Sequence, residues 1–80
     1  MVRILDFYMD NCVPCNQLKE VLSAYENVEF IKSSENLDLV LKYNIRKAPT
    51  VIILKSDVEV IRLSGYKTKE EIDKFLEGLN

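Results

Sequence analysis

Two cysteines separated by two residues are the side chains of this sequence best suited to chemistry. They form the stretch Cys12-Val13-Pro14-Cys15, where an apolar segment gives way to a helical pattern. A helix begins with unpaired backbone N–H groups and the positive end of its dipole, and both favour a thiolate over a thiol. Pro14 at an early helical position costs no hydrogen bond and holds Cys15 about one turn from Cys12. The spacing favours a redox pair that alternates between the dithiol and the disulfide form.

Two other roles are compatible with a cysteine pair at this spacing. A structural disulfide that closes a loop of about four residues stabilises a fold by roughly 2 kcal/mol, which is low for such bridges. A zinc clip needs two further ligands, normally Cys or His, and the chain has two cysteines and no histidine. Zinc would therefore need carboxylates or a second chain, and an iron–sulfur cluster would have to be shared across a dimer.

Asp6 is the third residue whose side chain could take part in a reaction. It interrupts the apolar segment from Val2 to Tyr8, where a buried sheet ordinarily rejects an ionisable side chain. An aspartate desolvated near two sulfurs has a raised pKa and can accept the proton of Cys15, directly or through a water. The alternative is a partly exposed Asp6 at a strand end, paired with a lysine.

The first half of the chain predicts the elements that position these groups. Residues 2–8 read as a strand buried on both faces, and residues 28–31 as a second short strand. Between them, apolar positions at intervals of three and four predict one buried helix face: Cys15, Leu18, Val21, Leu22 and Tyr25. A second helix, from about Glu35 to Tyr43 with Ser33 or Ser34 as its cap, is predicted to place three residues on one side: Leu37, Val40 and Leu41.

The second half predicts a hairpin and a last helix. Residues 50–54 and 58–63 are strand-like runs joined by a tight connection at 55–57. Thr68 and Glu71 have capping-box spacing, and the helix that they begin is predicted to end near Gly78. Its apolar positions follow a helical period: Ile72, Phe75, Leu76 and Leu79.

The element order is therefore β-α-β-α-β-β-α, which predicts an α/β fold. A strand, crossover helix and strand in one sheet should be parallel, while the hairpin adds an antiparallel pair. We expect a mixed four-stranded sheet with helices on both faces, the first strand in a central place, and residues 1–80 as a single domain. The turn from the first strand to the first helix then lies at a carboxyl edge, where ligands and chemistry collect in such sheets.

The composition predicts a compact chain with a small net charge. Of its 80 residues, 48% are hydrophobic and 30% are charged, and the net charge is −2. Nothing in this balance favours nucleic acid or a membrane as a partner. The opening residues 1–4 lead directly into a strand-like segment, so we expect no leader peptide. Two cysteines without a leader favour a reducing cytoplasm, and we expect a monomer.

Three stretches in order resemble the thioredoxin superfamily, and together they extend over nearly the whole chain. LDFYMDNCVPC, residues 5–15, is similar to that family's apolar-Asp-Phe strand leading into Cys-Gly-Pro-Cys. KYNIRKAPT, residues 42–50, resembles its Lys-Tyr-Gly-Ile-Arg stretch that ends in a cis-proline. Gly65, after the predicted fourth strand, matches a further glycine of the family.

The resemblance implies roles for particular residues. Cys12 would be the nucleophile, Cys15 the resolving thiol and Asp6 its proton acceptor. Pro49 would follow a cis peptide bond and pack beside the disulfide, since only X-Pro bonds adopt cis at modest cost. The residues that would bind substrate form an apolar docking rim around this pair: Val13, Pro14, Ala48, Gly65 and Tyr66, together with Pro49.

The sequence also departs from the family. It lacks the first strand and helix of full-length thioredoxins, so that its length is that of a glutaredoxin. Asn11 stands where thioredoxins usually carry tryptophan, and Val13 replaces the active-site glycine. Phe30 falls where the family's buried lysine is expected, and Lys32, two residues on, is the candidate to replace that lysine.

The resemblance thus implies a protein disulfide reductase without a bound cofactor, whose redox-active group is the Cys12-Cys15 disulfide. Electrons would come from NADPH through a thioredoxin-reductase-like enzyme, or from glutathione. Targets would be protein disulfides, with ribonucleotide reductase among the candidates.

The nearest rival is a glutaredoxin, which usually has Cys-Pro-Tyr-Cys, Thr-Val before the cis-proline, and Gly-Gly followed by Asp. The corresponding stretches here are CVPC, KAP and SGYK, which favour the thioredoxin type. A metal or iron–sulfur binding module and a purely structural interaction domain are the remaining alternatives.

Overall fold

The computed structural model describes residues 1–79. Four strands and three α-helices follow the predicted order, with a short 3-10 turn, Ser33–Glu35, ahead of the second helix. The strands are β1 Val2–Tyr8, β2 Val28–Lys32, β3 Thr50–Lys55 and β4 Val58–Ser64. The helices are α1 Val13–Leu22, α2 Leu37–Lys42 and α3 Lys69–Glu77. The single-domain prediction for residues 1–80 includes Asn80, which lies outside the described residues.

The four strands form one mixed sheet in the order β2-β1-β3-β4. β1 is parallel to β2 and antiparallel to β3, and β3 is antiparallel to β4. The predicted sheet is thereby confirmed, and β1 has a neighbour on either side, as its apolar sequence indicates. Backbone hydrogen bonds on both edges of β1 fix its carboxyl end, from which the chain turns towards the cysteines.

Helices cover both faces of the sheet, as predicted. On one face α1 and α3 pack on the sheet through a cluster of Ile4, Leu18, Leu22, Val51, Ile53, Leu63 and Ile72. On the other face residues of α2 and the segment after it cover a second cluster of Leu5, Phe7, Ile31, Ile52 and Leu54. Because side chains alternate along a strand, β1 and β3 contribute to both clusters.

The hairpin between β3 and β4 closes through Ser56 and Asp57. Both have positive φ, 51° and 64°, as a two-residue type I′ turn requires to match the twist of the flanking strands. The predicted tight connection is confirmed. It brings the carboxyl end of β4 back beside the start of β3.

The predicted buried face of α1 is confirmed, whereas that of α2 is confirmed for Val40 and wrong for Leu37 and Leu41. On α1, Cys15, Leu18 and Leu22 are buried. On α2, Leu37 and Leu41 are 65% and 80% exposed, and the residues that pack on the sheet are Leu39, Val40, Tyr43 and Ile45. The pattern of a helix of only six residues does not fix its orientation, and the sheet selects a different face.

The predicted serine cap of α2 is also wrong. Ser33 and Ser34 belong to the 3-10 turn, and α2 begins after Asn36 without a side-chain cap. Instead, the Asn36 side-chain amide donates to the carbonyl of Lys32 at 2.9 Å. The chain therefore leaves β2 through a tight turn before it becomes helical.

α3 begins with the predicted capping box. The Glu71 N–H donates to Thr68 Oγ1 at 3.2 Å, and the Glu71 carboxylate accepts from the Thr68 N–H at 3.0 Å. Gly78 terminates the helix as predicted. Of its apolar positions, Ile72 is buried, Leu76 and Leu79 pack against the core, and Phe75 is 39% exposed. Phe75 fits the apolar period of the helix but is not among the residues that pack against the core.

Replacing Thr68 with alanine is expected to lower the free energy of unfolding by about 1 kcal/mol, because the helix loses its N-cap acceptor. Urea unfolding at neutral pH measures the change. Thr68→Ser is the matched control, since serine keeps the hydroxyl and should unfold close to the native midpoint. An alanine variant as stable as the serine variant would mean that the capping box does not stabilise α3.

None of the described helices combines the length and the apolar character needed to cross a membrane.

Candidate active site

Three strand ends meet at the edge of the sheet where β1 gives way to α1. Thr50 at the start of β3 lies opposite Phe7 near the end of β1 and opposite Ser64 at the end of β4. The residues just before Thr50 and just after Ser64 therefore adjoin the turn that carries the cysteines. A hydrogen bond of 2.9 Å from the Gly65 N–H to the Pro49 carbonyl ties two of these segments together. The topology thus gathers the predicted site residues.

Cys12 and Cys15 form a disulfide with a Cα–Cα distance of 5.2 Å. They occupy different surroundings: Cys12 is the N-cap of α1 and is partly exposed, whereas Cys15 is buried at 1% exposure. The N–H of Cys15 donates to Cys12 Sγ at 3.2 Å. The first turn of α1 carries no acidic side chain, so nothing there offsets the positive helix end beside Cys12. A negative charge on Cys12 Sγ is stabilised by both features.

Asn11 makes the reversal from β1 into α1 possible. Its φ is +55°, a left-handed conformation that asparagine adopts more readily than most residues because its short polar side chain can form local hydrogen bonds. The resemblance implied a tryptophan at this position, and asparagine leaves the turn without that aromatic side chain. The turn ends at Cys12 with its sulfur towards the helix N-terminus.

Asp6 belongs to β1, and its side chain is fully buried. Neither of its carboxylate oxygens has a hydrogen-bond partner among the described residues. Two residues along β1 from Ile4, it shares the face on which Ile4 packs against α1. Cys15 is buried on that same helix. The alternative of a partly exposed Asp6 paired with a lysine is wrong.

Desolvation raises the pKa of Asp6 to about 6, because removing the carboxyl from water penalises its charged form. The positive charge of Lys19 acts in the opposite direction. A carboxyl with this pKa changes its protonation near neutral pH, where thiol–disulfide exchange takes place. Asp6 is therefore chemically suited to proton transfer.

Lys32, the candidate for the buried lysine that the resemblance implied, forms ion pairs with other residues than Asp6. Phe30 lies in register with Asp6 on β2. Lys32 follows two residues later, but its ammonium pairs with Asp10 at 2.8 Å and reaches Glu35 at 4.0 Å. The cation whose field acts on Asp6 is instead Lys19 of α1.

The predicted docking-rim residues differ in their exposure to solvent. Val13 is 67% exposed and Tyr66 43% exposed. Pro14 is exposed, while Ala48 and Gly65 are partly exposed.

The loop before β3 has a defined backbone. The Ala48–Pro49 peptide bond is cis, the conformation that the resemblance implied, and Pro49 itself is buried. The Thr50 hydroxyl donates to the Lys47 carbonyl at 2.7 Å. Gly65, with φ of +83°, occupies a conformation that favours glycine. The two loops that flank the cysteine turn are thus held by backbone geometry as well as by packing.

Met9 is an exposed residue near the cysteine turn that the sequence analysis did not single out. It is 53% exposed in the turn before Cys12. It borders an open cavity of about 410 Å³, lined by Met9, Asp10, Ser33, Ser34, Leu37 and Val40. A smaller cavity of about 130 Å³ adjoins it and reaches the loop before Ala48, with Met9, Ser33, Val40, Ile45, Arg46 and Lys47 as its lining. An apolar residue three positions before the first cysteine was the available signal.

Within residues 1–79, no group of three or more His, Cys, Asp or Glu side chains is placed to hold a metal ion.

Comparison with known proteins identifies the family to which this arrangement belongs. A family model described as a thioredoxin-like domain matches residues 3–80. The chain belongs to the thioredoxin-like family. A thioredoxin of Staphylococcus aureus is 28% identical over 83 aligned residues, which cover 95% of this thioredoxin-like protein and 80% of the relative. A thioredoxin of Mycoplasma genitalium is 27% identical over 75 residues, covering 86% and 74% of the two chains.

Solved structures agree with the family assignment. A mutant thioredoxin from Halobacterium salinarum superposes with a TM-score of 0.86 at 26% identity, covering 96% of this thioredoxin-like protein and 73% of that one. A malaria-parasite protein described as thioredoxin-2 has a TM-score of 0.82 at 18% identity, covering 98% and 82% of the two chains, and supports the fold alone.

This thioredoxin-like protein is a thiol–disulfide oxidoreductase, an enzyme that reduces disulfides through a redox-active cysteine pair. The thioredoxin relatives imply that its substrates are disulfide-bonded proteins and that a reductase returns the pair to the dithiol.

Proposed function

We propose that the chain reduces protein disulfides in two exchange steps with distinct roles for its two cysteines. The Cys12 thiolate attacks one sulfur of the substrate disulfide, forms a mixed disulfide and releases the first substrate thiolate. Cys15 then loses its proton and attacks Cys12 Sγ, which forms the Cys12–Cys15 disulfide and releases the second substrate thiolate. Two electrons pass to the substrate, and the enzyme ends in its oxidised form.

The difference in burial between the two sulfurs carries this assignment. A substrate disulfide belongs to another molecule and can reach the partly exposed Cys12, whereas Cys15 is 1% exposed. The helix N-terminus and the Cys15 N–H stabilise negative charge on the accessible sulfur. Cys15 needs to reach only Cys12, one turn away on the same helix.

The second step requires a base for the buried Cys15 thiol, and Asp6 is the candidate. It is a fully buried carboxyl on the α1 face of the sheet with two oxygens free of hydrogen bonds within the described chain. Ionised Asp6 would accept the Cys15 proton, directly or through a water, and pass it to solvent after the substrate leaves.

The docking rim would hold an extended segment of the substrate next to Cys12. Ala48 lies two residues before β3, where main-chain pairing with a substrate would resemble the addition of a strand. Val13, Tyr66 and Met9 would contribute exposed apolar surface to this docking region. We propose that Met9 joins the predicted rim and that the enzyme works as a monomeric single domain in a reducing compartment.

The electron donor is tested by two NADPH-coupled assays on the same purified protein. One supplies thioredoxin reductase with insulin as substrate, and the other supplies glutathione and glutathione reductase with a small mixed disulfide. We expect turnover with thioredoxin reductase only, because the loops that flank the cysteines lack the glutaredoxin patterns. Turnover with glutathione alone would mean that the rim accepts a tripeptide and that the thioredoxin-type donor is wrong.

A further inference from the structure

Lys19 is held above the sheet by two aromatic rings. It lies on α1 four residues after Cys15 and is partly exposed. Its ammonium nitrogen is 3.7 Å from the centre of the Tyr8 ring and 5.6 Å from that of Phe30. Ammonium groups within about 6 Å of an aromatic face are attracted to it, by about 0.5–1 kcal/mol at exposed sites. The two contacts fix the charge at one place over β1 and β2.

The two rings flank Asp6. Phe30 lies in register with Asp6 on the adjacent strand. Tyr8 follows Asp6 by two residues on β1, and side chains two residues apart share a face. The ammonium that both rings contact is therefore on the Asp6 side of the sheet. Its positive charge acts on a carboxyl that has no hydrogen-bond donor within the described residues.

The charged surroundings of Asp6 can be specified element by element. The ionisable side chains on this side of the sheet include Tyr8 of β1, Lys32 of β2, and Cys15 and Lys19 of α1. Tyr25, after α1, forms a separate group with Lys69 and Asp73 of α3: its hydroxyl donates to Asp73, which also pairs with Lys69. β3 contributes the apolar Val51 in register with Asp6, and α3 contributes Ile72 to the same core. Lys32 forms an ion pair with Asp10, with 2.8 Å between Lys32 Nζ and Asp10 Oδ2. Lys19 is the cation whose positive charge acts on Asp6.

We propose that Lys19 is a positioning residue for the second exchange step: held by Tyr8 and Phe30, it keeps the Asp6 carboxyl ionised so that Asp6 can take the proton of Cys15. This inference rests on the proposed function. Asp6 is desolvated, and desolvation favours its neutral form, which cannot accept a proton. A fixed positive charge outside the hydrogen-bonding range of the carboxyl offsets part of that penalty without occupying the oxygens.

The test follows the two exchange steps separately with Ellman's reagent. Reduced protein attacks the reagent through Cys12 and releases one yellow thionitrobenzoate, and Cys15 then releases a second by closing the disulfide. The rate of the second release is measured from about pH 5 to pH 9. In Lys19→Met, we expect the midpoint of this profile to move up by about half to one pH unit, which slows the second release roughly 3- to 10-fold on the acidic side.

Two controls separate the charge of Lys19 from its packing. Lys19→Arg keeps a cation over the rings and should restore the native profile. Lys42→Met removes a lysine that contacts an aromatic ring in the same way, Tyr43 at 5.4 Å, but belongs to α2 on the other face of the sheet. We expect no shift of the midpoint in the Lys42 variant, although both Met variants lower the net charge by the same amount.

Combining Lys19→Met with Asp6→Asn tests whether Lys19 acts through Asp6. We expect the double variant to follow the profile of Asp6→Asn alone. A native midpoint in Lys19→Met, or a shift that persists without the Asp6 carboxyl, would overturn the inference. A native protein that releases only one thionitrobenzoate would instead contradict the two-step function, so the two failures are distinguishable.

Discussion

Replacing Cys12 with serine is expected to abolish turnover of insulin disulfides, whereas Cys15→Ser is expected to trap the enzyme on its substrate. The serine hydroxyl is far less acidic than a thiol and cannot form a mixed disulfide, so the first variant loses the attacking group. The second variant keeps the partly exposed Cys12 at the helix N-terminus. It lacks the thiol that releases the substrate. In Cys12→Ser, the turnover of insulin disulfides should fall below the detection limit of the assay.

The two variants are distinguished by a turnover assay and by non-reducing electrophoresis. Wild-type protein and Cys15→Ser are incubated with a disulfide-containing substrate, and a band of the summed mass that disappears with dithiothreitol reports the mixed disulfide. Cys12→Ser is the matched comparison, because it retains one thiol, at the buried position. If Cys12→Ser formed the covalent complex and Cys15→Ser did not, the assignment of the two roles would be reversed.

The parts of the fold that depend on local pattern were predictable from the sequence. β1, α1 and the β3–β4 hairpin follow from runs of apolar residues, helical spacing and a short turn, and each was confirmed. Cys12 falls at a helix N-terminus because Pro14 suits the first turn of a helix. The same reasoning failed for α2. Six residues give about two turns, so Leu37 and Leu41 could be assigned to the buried side with no local contradiction.

The parts of the site that depend on register were not predictable from the sequence. Phe30 is recognisable as apolar, but its place opposite Asp6 follows from the pairing of β1 with β2. Lys19 reads as an ordinary charged helix residue until Tyr8 and Phe30 are brought beneath it. The cavity beside Met9 likewise forms between the turn after β1 and the segment that joins β2 to α2. Such long-range juxtapositions have no signal in a single sequence.

Asp6→Asn is expected to stabilise the oxidised protein more at neutral pH than at acidic pH. The free energy of unfolding of the variant minus that of the native protein should be about 2 to 3 kcal/mol larger near neutral pH than near pH 4. Desolvation raises the pKa of Asp6 to about 6 in the folded protein, whereas an unfolded aspartate has a pKa near 3.9. Below about pH 4 the carboxyl is protonated in both states and contributes no pH dependence. Between about pH 4 and 6 the unfolded chain ionises while the folded chain stays neutral, so folding becomes less favourable as the pH rises. Above about pH 6 the carboxyl is ionised in both states, and the stability lost by burying its charge no longer changes with pH.

Urea unfolding of the oxidised forms from about pH 4 to pH 8 measures this contribution, because the difference between asparagine and aspartate changes with pH only through ionisation. The amide of asparagine fits the same volume and carries no charge, so any cost of burying it cancels in the comparison between pH values. Asp38→Asn, at an exposed position on α2, is the matched control and should show no comparable change. An Asp6→Asn variant whose stability relative to the native protein is the same near pH 4 and pH 8 would show that Asp6 is not desolvated. If the variant gains stability and also releases the second thionitrobenzoate slowly, the buried carboxyl that destabilises the fold is the one that the exchange reaction uses.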